Sequence, residues 1–160
     1  MADARIFADL KADHDRHRDL LARLAETKGD SEERRELFEA FRVEVSAHAA
    51  AEEESLYATM LARPALRDDA RHSVSEHKEI DDFLTDLFEM EMSSPGWLPK
   101  FREMRHRYEH HIGEEEEEMF PAAAKDLSQA EQERLGKVFE ARKPKELEIA
   151  EETDPGDARD

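Results

Sequence analysis

Six side chains of this sequence could bind metal ions, and they form three pairs at a single spacing. Each pair repeats one residue type 63 positions later: His14 with His77, His48 with His111, and Glu52 with Glu115. Neutral imidazoles and carboxylates are suitable ligands for iron, manganese or zinc. The chain has no cysteine, so thiolate sites, iron–sulfur clusters and disulfides are excluded. The repeat therefore predicts a metal site that is built from two copies of one unit.

The spacing within each copy predicts that these side chains face the interior of a helix bundle. Three- and four-residue steps, which follow one helix face, connect Phe41, Val45, His48, Glu52 and Leu56. The second copy has the matching stripe Met104, Tyr108, His111, Glu115 and Met119. A buried carboxylate needs a compensating partner, and no lysine or arginine occupies the neighbouring inward positions. Two carboxylates near a pseudo-two-fold axis could bridge two metal ions, which favours a dinuclear site.

Other polar residues leave alternatives open. His17 lies one turn from His14 on the inward face and is a fifth imidazole ligand, a hydrogen-bond donor behind the ligands, or a core histidine. Tyr108 either packs or donates a hydrogen bond near a bound ligand. His110 also has a glutamate four residues later, but it falls outside the apolar stripe, so we prefer His111. Apart from Glu115, we expect the run 114–118 to lie on a solvated face. A helical module whose repeat has lost its function is the remaining alternative.

Helix signals divide the chain into five segments. We expect helices over 4–27, 30–61, 66–92, 97–124 and 128–142, with capping boxes at Asp30–Glu33 and Ser128–Glu131. Long helices joined by short connections pack as antiparallel neighbours. The expected fold is therefore all-α, an up-down-up-down four-helix bundle with a short fifth C-terminal helix. Residues 1–143 would form this domain, and residues 144–160 an acidic, disordered tail.

Charge and hydropathy exclude several classes of partner. The formal net charge of −18 disfavours nucleic acid and anionic membranes, because their phosphates would be repelled. The sequence contains neither a long apolar run nor the pattern of a secretory signal. We therefore expect a cytoplasmic protein without nucleic-acid or membrane partners.

The motifs around the repeated residues resemble those of the haemerythrin-like, or HHE cation-binding, domain family. The matching segments are Asp13–Asp15, His48–Tyr57, Glu76–Lys78 and His111–Pro121, and the resemblance spans about residues 3–143. It implies two non-haem iron ions, bridged by Glu52 and Glu115 and by an oxo or hydroxo group. The terminal ligands would be His14, His48, His77 and His111. Manganese and zinc remain alternatives, because the same ligands accept them.

The resemblance also implies a small-molecule ligand, namely dioxygen, hydrogen peroxide or nitric oxide. The implied roles are oxygen or redox sensing, a stress response, or catalase-like activity; a non-enzymatic iron sensor or metal buffer is the alternative. Oxygen-carrying haemerythrins have the pattern His-x-x-x-His on the third helix, whereas in this sequence Ser73 stands four residues before His77. The missing imidazole disfavours stable oxygen carriage and favours reactivity towards peroxide. We expect a monomer or a weak homodimer.

Overall fold

The structure, a computed structural model that describes residues 4–154, is a bundle of α-helices. The helices are α1 (Arg5–Ala25), α2 (Glu32–Glu52), α3 (Ala58–Leu61), α4 (Arg67–Glu89), α5 (Trp97–Glu114), α6 (Phe120–Asp126) and α7 (Gln129–Glu152). Two π-helical turns join α2 to α3 (Glu53–Tyr57) and α5 to α6 (Glu115–Met119). Residues 4–154 contain no strand, so the predicted all-α bundle is confirmed.

The helix starts follow the capping signals, with one shift. Ser31, not Asp30, caps α2: its Oγ accepts a hydrogen bond from the Arg34 backbone N–H at 3.1 Å. The predicted box at the start of α7 is confirmed, since Ser128 and Glu131 each accept from the other's backbone N–H. Gly29 lies in the connection between α1 and α2 with a φ of 58°, a conformation that glycine adopts at little cost.

The C-terminal helix is much longer than the sequence predicted. We expected a short helix that ends near residue 142 and a disordered tail from residue 144, but α7 continues to Glu152. Pro144 lies on an exposed face, whereas Glu146 and Ala150 are buried against the bundle. Arg42 of α2 donates to the Thr153 carbonyl at 2.9 Å and so satisfies the end of α7. Tertiary contacts thus outweigh the helix-breaking tendency of proline; the predicted tail beyond residue 154 lies outside the described residues.

Two apolar clusters fill the bundle, one on each side of a polar layer. One contains Ile6, Phe7, Leu10, Leu56, Met60, Phe120 and Leu135, and the other contains Leu21, Leu24, Phe41, Leu84, Trp97, Phe101 and Tyr108. On α1, His14 and His17 fall between the two clusters, as do His48 and Glu52 on α2. The clusters therefore hold the helices rigidly above and below the predicted metal ligands. No helix in the described range is both long enough and apolar enough to cross a bilayer.

Candidate metal centre

The structure brings all six predicted ligands into one buried layer. His14, His48, Glu52, His111 and Glu115 are at most 2% exposed, and the side chain of His77 is 8% exposed. Their ligand atoms fall into two groups, in each of which the atoms lie within 4.8 Å of one another. The groups are His14, His48 and Glu52, and Glu52, His77, His111 and Glu115. Glu52 belongs to both groups, so the centre is continuous.

Each carboxylate lies between two histidines from different halves of the repeat. Glu52 Oε1 is 3.7 Å from His48 Nε2 and 3.3 Å from His77 Nε2. Glu115 Oε1 is 3.7 Å from His14 Nε2 and 2.9 Å from His111 Nε2. His14 with His48 and His77 with His111 therefore form two imidazole pairs, and both carboxylates connect them.

Most inward atoms of this layer make no hydrogen bond within the described protein, although His111 Nε2 lies 2.9 Å from Glu115 Oε1. The buried atoms without a hydrogen bond include Nε2 of His14, His48 and His111, both oxygens of Glu52, and Oε1 of Glu115. Leaving so many buried polar atoms unpaired is costly, and each is a lone-pair donor to a cation. The residues present therefore fit metal ions better than they fit one another.

A second ring of carboxylates orients the imidazoles from behind. Nδ1 of His48 lies 2.8 Å from Asp13 Oδ2, and Nδ1 of His111 lies 2.8 Å from Glu76 Oε1. An ionised carboxylate only accepts hydrogen bonds, so Nδ1 carries the proton and Nε2 keeps its lone pair for a metal. Asp13 and Glu76 are themselves 63 residues apart. Their match in the repeat is the signal from which sequence analysis could have found this role, although it assigned none to them.

The other two histidines show the same arrangement less evenly. His14 Nδ1 is 2.7 Å from Glu116 Oε2, whereas His77 Nδ1 is 3.5 Å from Glu53 Oε2. Glu53 and Glu116 again differ by 63 residues. The expectation that Glu116 lies on a solvated face is wrong, because its side chain is 21% exposed and contacts His14. In the sequence, Glu116 could not be distinguished from the other members of a run of five glutamates.

The two ambiguous inward residues contact each other. His17 is fully buried, and its Nδ1 lies 2.6 Å from Tyr108 Oη. His17 does not belong to the two groups of ligand atoms, and its Nε2, which has no hydrogen bond, lies 3.5 Å from Glu44 Oε1. This position favours a supporting role beside the ligands over direct metal binding. Tyr57, at the end of the His48–Tyr57 motif, donates from Oη to Glu115 Oε2 at 2.7 Å.

The choice of His111 over His110 agrees with the burial of the two side chains. His111 is 1% exposed, whereas His110 is 65% exposed and pairs with Glu114. His72, Glu76 and Glu114 also cluster, but the His72 side chain is 62% exposed. Exposed acidic clusters are common without any ion, so this outer group carries no assignment.

Glu52 and Glu115 both stand where a π-helical turn begins. Ala58 N–H bonds to the Glu53 carbonyl and Phe120 N–H bonds to the Glu115 carbonyl, which are five-residue steps. Such π-helical turns insert one residue into a helix and are frequent at functional sites. Each turn changes which side chains face inward just after Glu52 or at Glu115. Pro121 accompanies the second turn and has no N–H for a regular helical bond.

The two carboxyl groups of the centre have pKa values that are shifted in opposite directions. Burial and the neighbouring Glu115 raise the pKa of Glu52 well above its usual value. Burial also opposes ionisation of Glu115, but the charge of His111 outweighs it and lowers its pKa. Burial lowers the pKa of His48 to about 3, whereas Glu115 and Glu76 overcome burial and raise the pKa of His111 to about 10. Without metal, burial and the neighbouring Glu115 thus favour the neutral form of Glu52, whereas the adjacent carboxylates favour the charged form of His111.

Removing a carboxylate behind a ligand is expected to weaken metal binding. Glu76→Ala removes the acceptor of His111 Nδ1, so the imidazole loses its orientation and some basicity. Changes of this kind cost about 10–100-fold in metal affinity. Competition with a chromophoric chelator would measure this loss. Glu79→Ala is the matched control, because Glu79 lies on the same helix, is half exposed and pairs with Arg107. Equal affinities of the two variants would contradict the assigned role of Glu76.

Comparison with known proteins agrees with this site. Residues 5–123 match the sequence model of the Hemerythrin HHE cation binding domain. The structure is similar to the crystal structure of a hemerythrin HHE cation binding domain-containing protein from Mycobacterium kansasii. The TM-score is 0.80 at 27% identity, over 93% of this chain and 90% of that chain. A search of curated proteins gave no match. The chain therefore belongs to the hemerythrin HHE cation-binding domain family, a family of metal-binding helical domains.

Proposed function

We propose that this chain is a non-haem di-iron protein that binds or reacts with dioxygen, peroxide or nitric oxide. The observation that carries the proposal is the position of Glu52 and Glu115, each of which lies between histidines of both imidazole pairs. His14 and His48 would hold one ion, and His77 and His111 the other. Imidazole and carboxylate donors without sulfur suit iron, and they leave positions free for a small molecule.

When bound, the iron ions would supply electron exchange with small oxidants. The chain's own contribution is a buried, shaped environment for that exchange. Tyr57 holds a proton 2.7 Å from Glu115, and burial raises its pKa, so the phenol remains a donor. Burial likewise raises the pKa of Tyr108, whose Oη lies beside His17. Both phenols can therefore offer hydrogen bonds close to the centre without ionising.

A cavity of about 400 Å³ provides access to the centre. Its walls include buried His48 and Tyr108 as well as exposed Lys78 and Ile149, so it connects solvent with the imidazole layer. Val45, Val74, Ile80 and Leu84 also line it. Mostly apolar walls admit uncharged molecules such as dioxygen, hydrogen peroxide or nitric oxide more readily than ions.

Metal analysis combined with an optical spectrum tests the proposal directly. We expect about two irons per chain, because two imidazole pairs share the carboxylates, and visible absorption that changes when dioxygen, hydrogen peroxide or nitric oxide is added separately. Stoichiometric iron without any spectral response would instead favour a metal buffer or iron sensor. Protein that folds identically and ignores iron would contradict both functions.

Narrowing the cavity is expected to slow the reaction without removing iron. Ala50 lines the cavity between α2 and α4, so Ala50→Phe should place a ring in the access route. We expect the rate of the spectral change to fall severalfold while iron content stays constant. Ala141→Phe is the control, because Ala141 is exposed on α7 and does not line the cavity. Equal rates in the two variants would show that small molecules enter by another route.

A further inference from the structure

The two halves of the centre differ in the cations that stand behind their carboxylates. Asp13 and Glu116 orient the pair His14 and His48, which we call the first imidazole pair. Glu53 and Glu76 occupy the corresponding places behind His77 and His111, the second imidazole pair. The ligand types and the carboxylates repeat, but the cations behind those carboxylates do not, and they add to the differences in ligand geometry between the two halves.

Lys143 compensates Asp13 on the side of the first imidazole pair. Its Nζ donates to Asp13 Oδ2 at 2.8 Å, the same oxygen that faces His48 Nδ1 at 2.8 Å. A further hydrogen bond of 2.7 Å joins Nζ to Glu44 Oε1. Lys143 is only 8% exposed, so these contacts are weakly screened. It lies on α7, outside the repeat and outside residues 5–123 of the family match.

Arg18 compensates the second carboxylate on this side. It donates to Glu116 Oε1 at 2.8 Å and to Oε2 at 3.2 Å, and Oε2 also faces His14 Nδ1. The residue at the equivalent repeat position is Asp81, which has the opposite charge. Both carboxylates behind the first imidazole pair are thus held by a cationic side chain.

The carboxylates behind the second imidazole pair have no such compensation. Within residues 4–154, neither Glu53 nor Glu76 forms an ion pair with a lysine or an arginine. Glu76 has His72 at 3.4 Å, an exposed imidazole. Around His14 and His48, Arg16 also pairs with Glu44, so the three carboxylates there are matched by three cations. The surroundings of His77 and His111 are therefore more negative than those of His14 and His48.

We propose that Lys143 and Arg18 make the two metal positions unequal, so that the second imidazole pair binds its cation more tightly and is filled first. A carboxylate oxygen that already accepts from an ammonium or guanidinium group is a weaker acceptor for an imidazole N–H. The imidazole then donates less electron density to a metal. The added positive charge also repels a cation through the buried interior. Both effects weaken binding at the first imidazole pair. Lys143 and Arg18 act as positioning residues, and the inference rests on the two-ion centre proposed above.

Manganese titration followed by electron paramagnetic resonance tests this inequality. At one equivalent of Mn²⁺ we expect more isolated ions than two equal positions would give, because the second imidazole pair fills first. The two affinities should differ by about tenfold or more, the range typical of changes behind a ligand. The combined Lys143→Gln and Arg18→Gln protein should bring the affinities together and raise the fraction of coupled pairs of Mn²⁺ ions at one equivalent. Lys143→Arg alone keeps the positive charge and should therefore keep the difference between the two affinities.

Controls identify the cause and the position. Lys145→Gln and Arg23→Gln remove exposed charges from the same helices and should leave the ratio of affinities unchanged. His111→Ala should remove the tighter binding, and His48→Ala the weaker. If burial of Asp13 prevents Lys143→Gln from folding, Arg18→Gln alone should still narrow the ratio, because its side chain is 35% exposed. Equal affinities in the unaltered protein, or a ratio that ignores both substitutions, would overturn the inference. Binding of fewer than two ions would overturn the proposed function instead.

Discussion

Glu52→Ala is expected to abolish the binding of two neighbouring metal ions in the metal centre. Both oxygens of Glu52 are buried without a hydrogen bond, and Oε1 lies near His48 and His77. Removing this shared ligand should lower bound iron from about two ions per chain to one or fewer, since lost ligands affect both positions. Metal analysis and the magnetic coupling between the ions would measure the loss. Glu115→Ala should act in the same direction and also free Tyr57.

Glu114→Ala separates this effect from a general loss of acidic charge. Glu114 neighbours Glu115 in sequence, but its carboxylate contacts the exposed His72 and His110. We expect this variant to keep both ions and their coupling. The inward face would be assigned incorrectly if Glu114→Ala lost the two coupled metal ions and Glu52→Ala retained them.

The folding of the Glu52 variant can be checked without metal. In the metal-free protein, burial and the neighbouring Glu115 raise the pKa of the Glu52 carboxyl group. Both of its oxygens are also without a hydrogen bond. Replacing buried polar groups by apolar ones of similar size is often neutral or stabilising. Glu52→Leu should therefore unfold at the same or a higher temperature than the metal-free unaltered protein. A lower unfolding temperature would mean that the carboxyl group also has a structural role.

Removing metal from the unaltered protein is expected to cause the largest loss of stability. The inward atoms of the imidazoles and carboxylates have no other described partner, so the folded state offers a site that the unfolded chain lacks. A ligand present at a thousand times its dissociation constant stabilises the folded state by about 4 kcal/mol per site. Thermal unfolding measured across metal concentrations should show a steadily rising midpoint.

Glu52→Leu provides the control for that measurement. Its unfolding midpoint should respond much less to metal, because the ligand common to both groups is missing. If chelation leaves the midpoint of the unaltered protein unchanged, the polar layer does not hold metal in the folded state. If both proteins respond equally, the stabilising ions bind elsewhere, for example at the exposed acidic surface.

The repeat and the helical period were enough to predict the six inward side chains. His14, His48, Glu52, His77, His111 and Glu115 could be found because a single offset aligned them and each lay on an apolar stripe. The second ring was only partly visible. Asp13 and Glu76 matched at the same offset, but Glu116 lies among other glutamates, and its partial burial depends on the packing of α1 against the π-helical turn Glu115–Met119.

Features that depend on contacts between distant segments were decided by the tertiary structure. The π-helical turns after Glu52 and at Glu115 change hydrogen-bond register, and propensities along the chain do not encode such a change. Pro144 correctly signals a helix break by local rules, yet packing against α1 and α2 carries α7 through it. The sequence alone thus determined which residue types repeat and which face they share. Only the folded chain brought Lys143 to Asp13, because a contact across 130 residues forms through packing and leaves no local pattern.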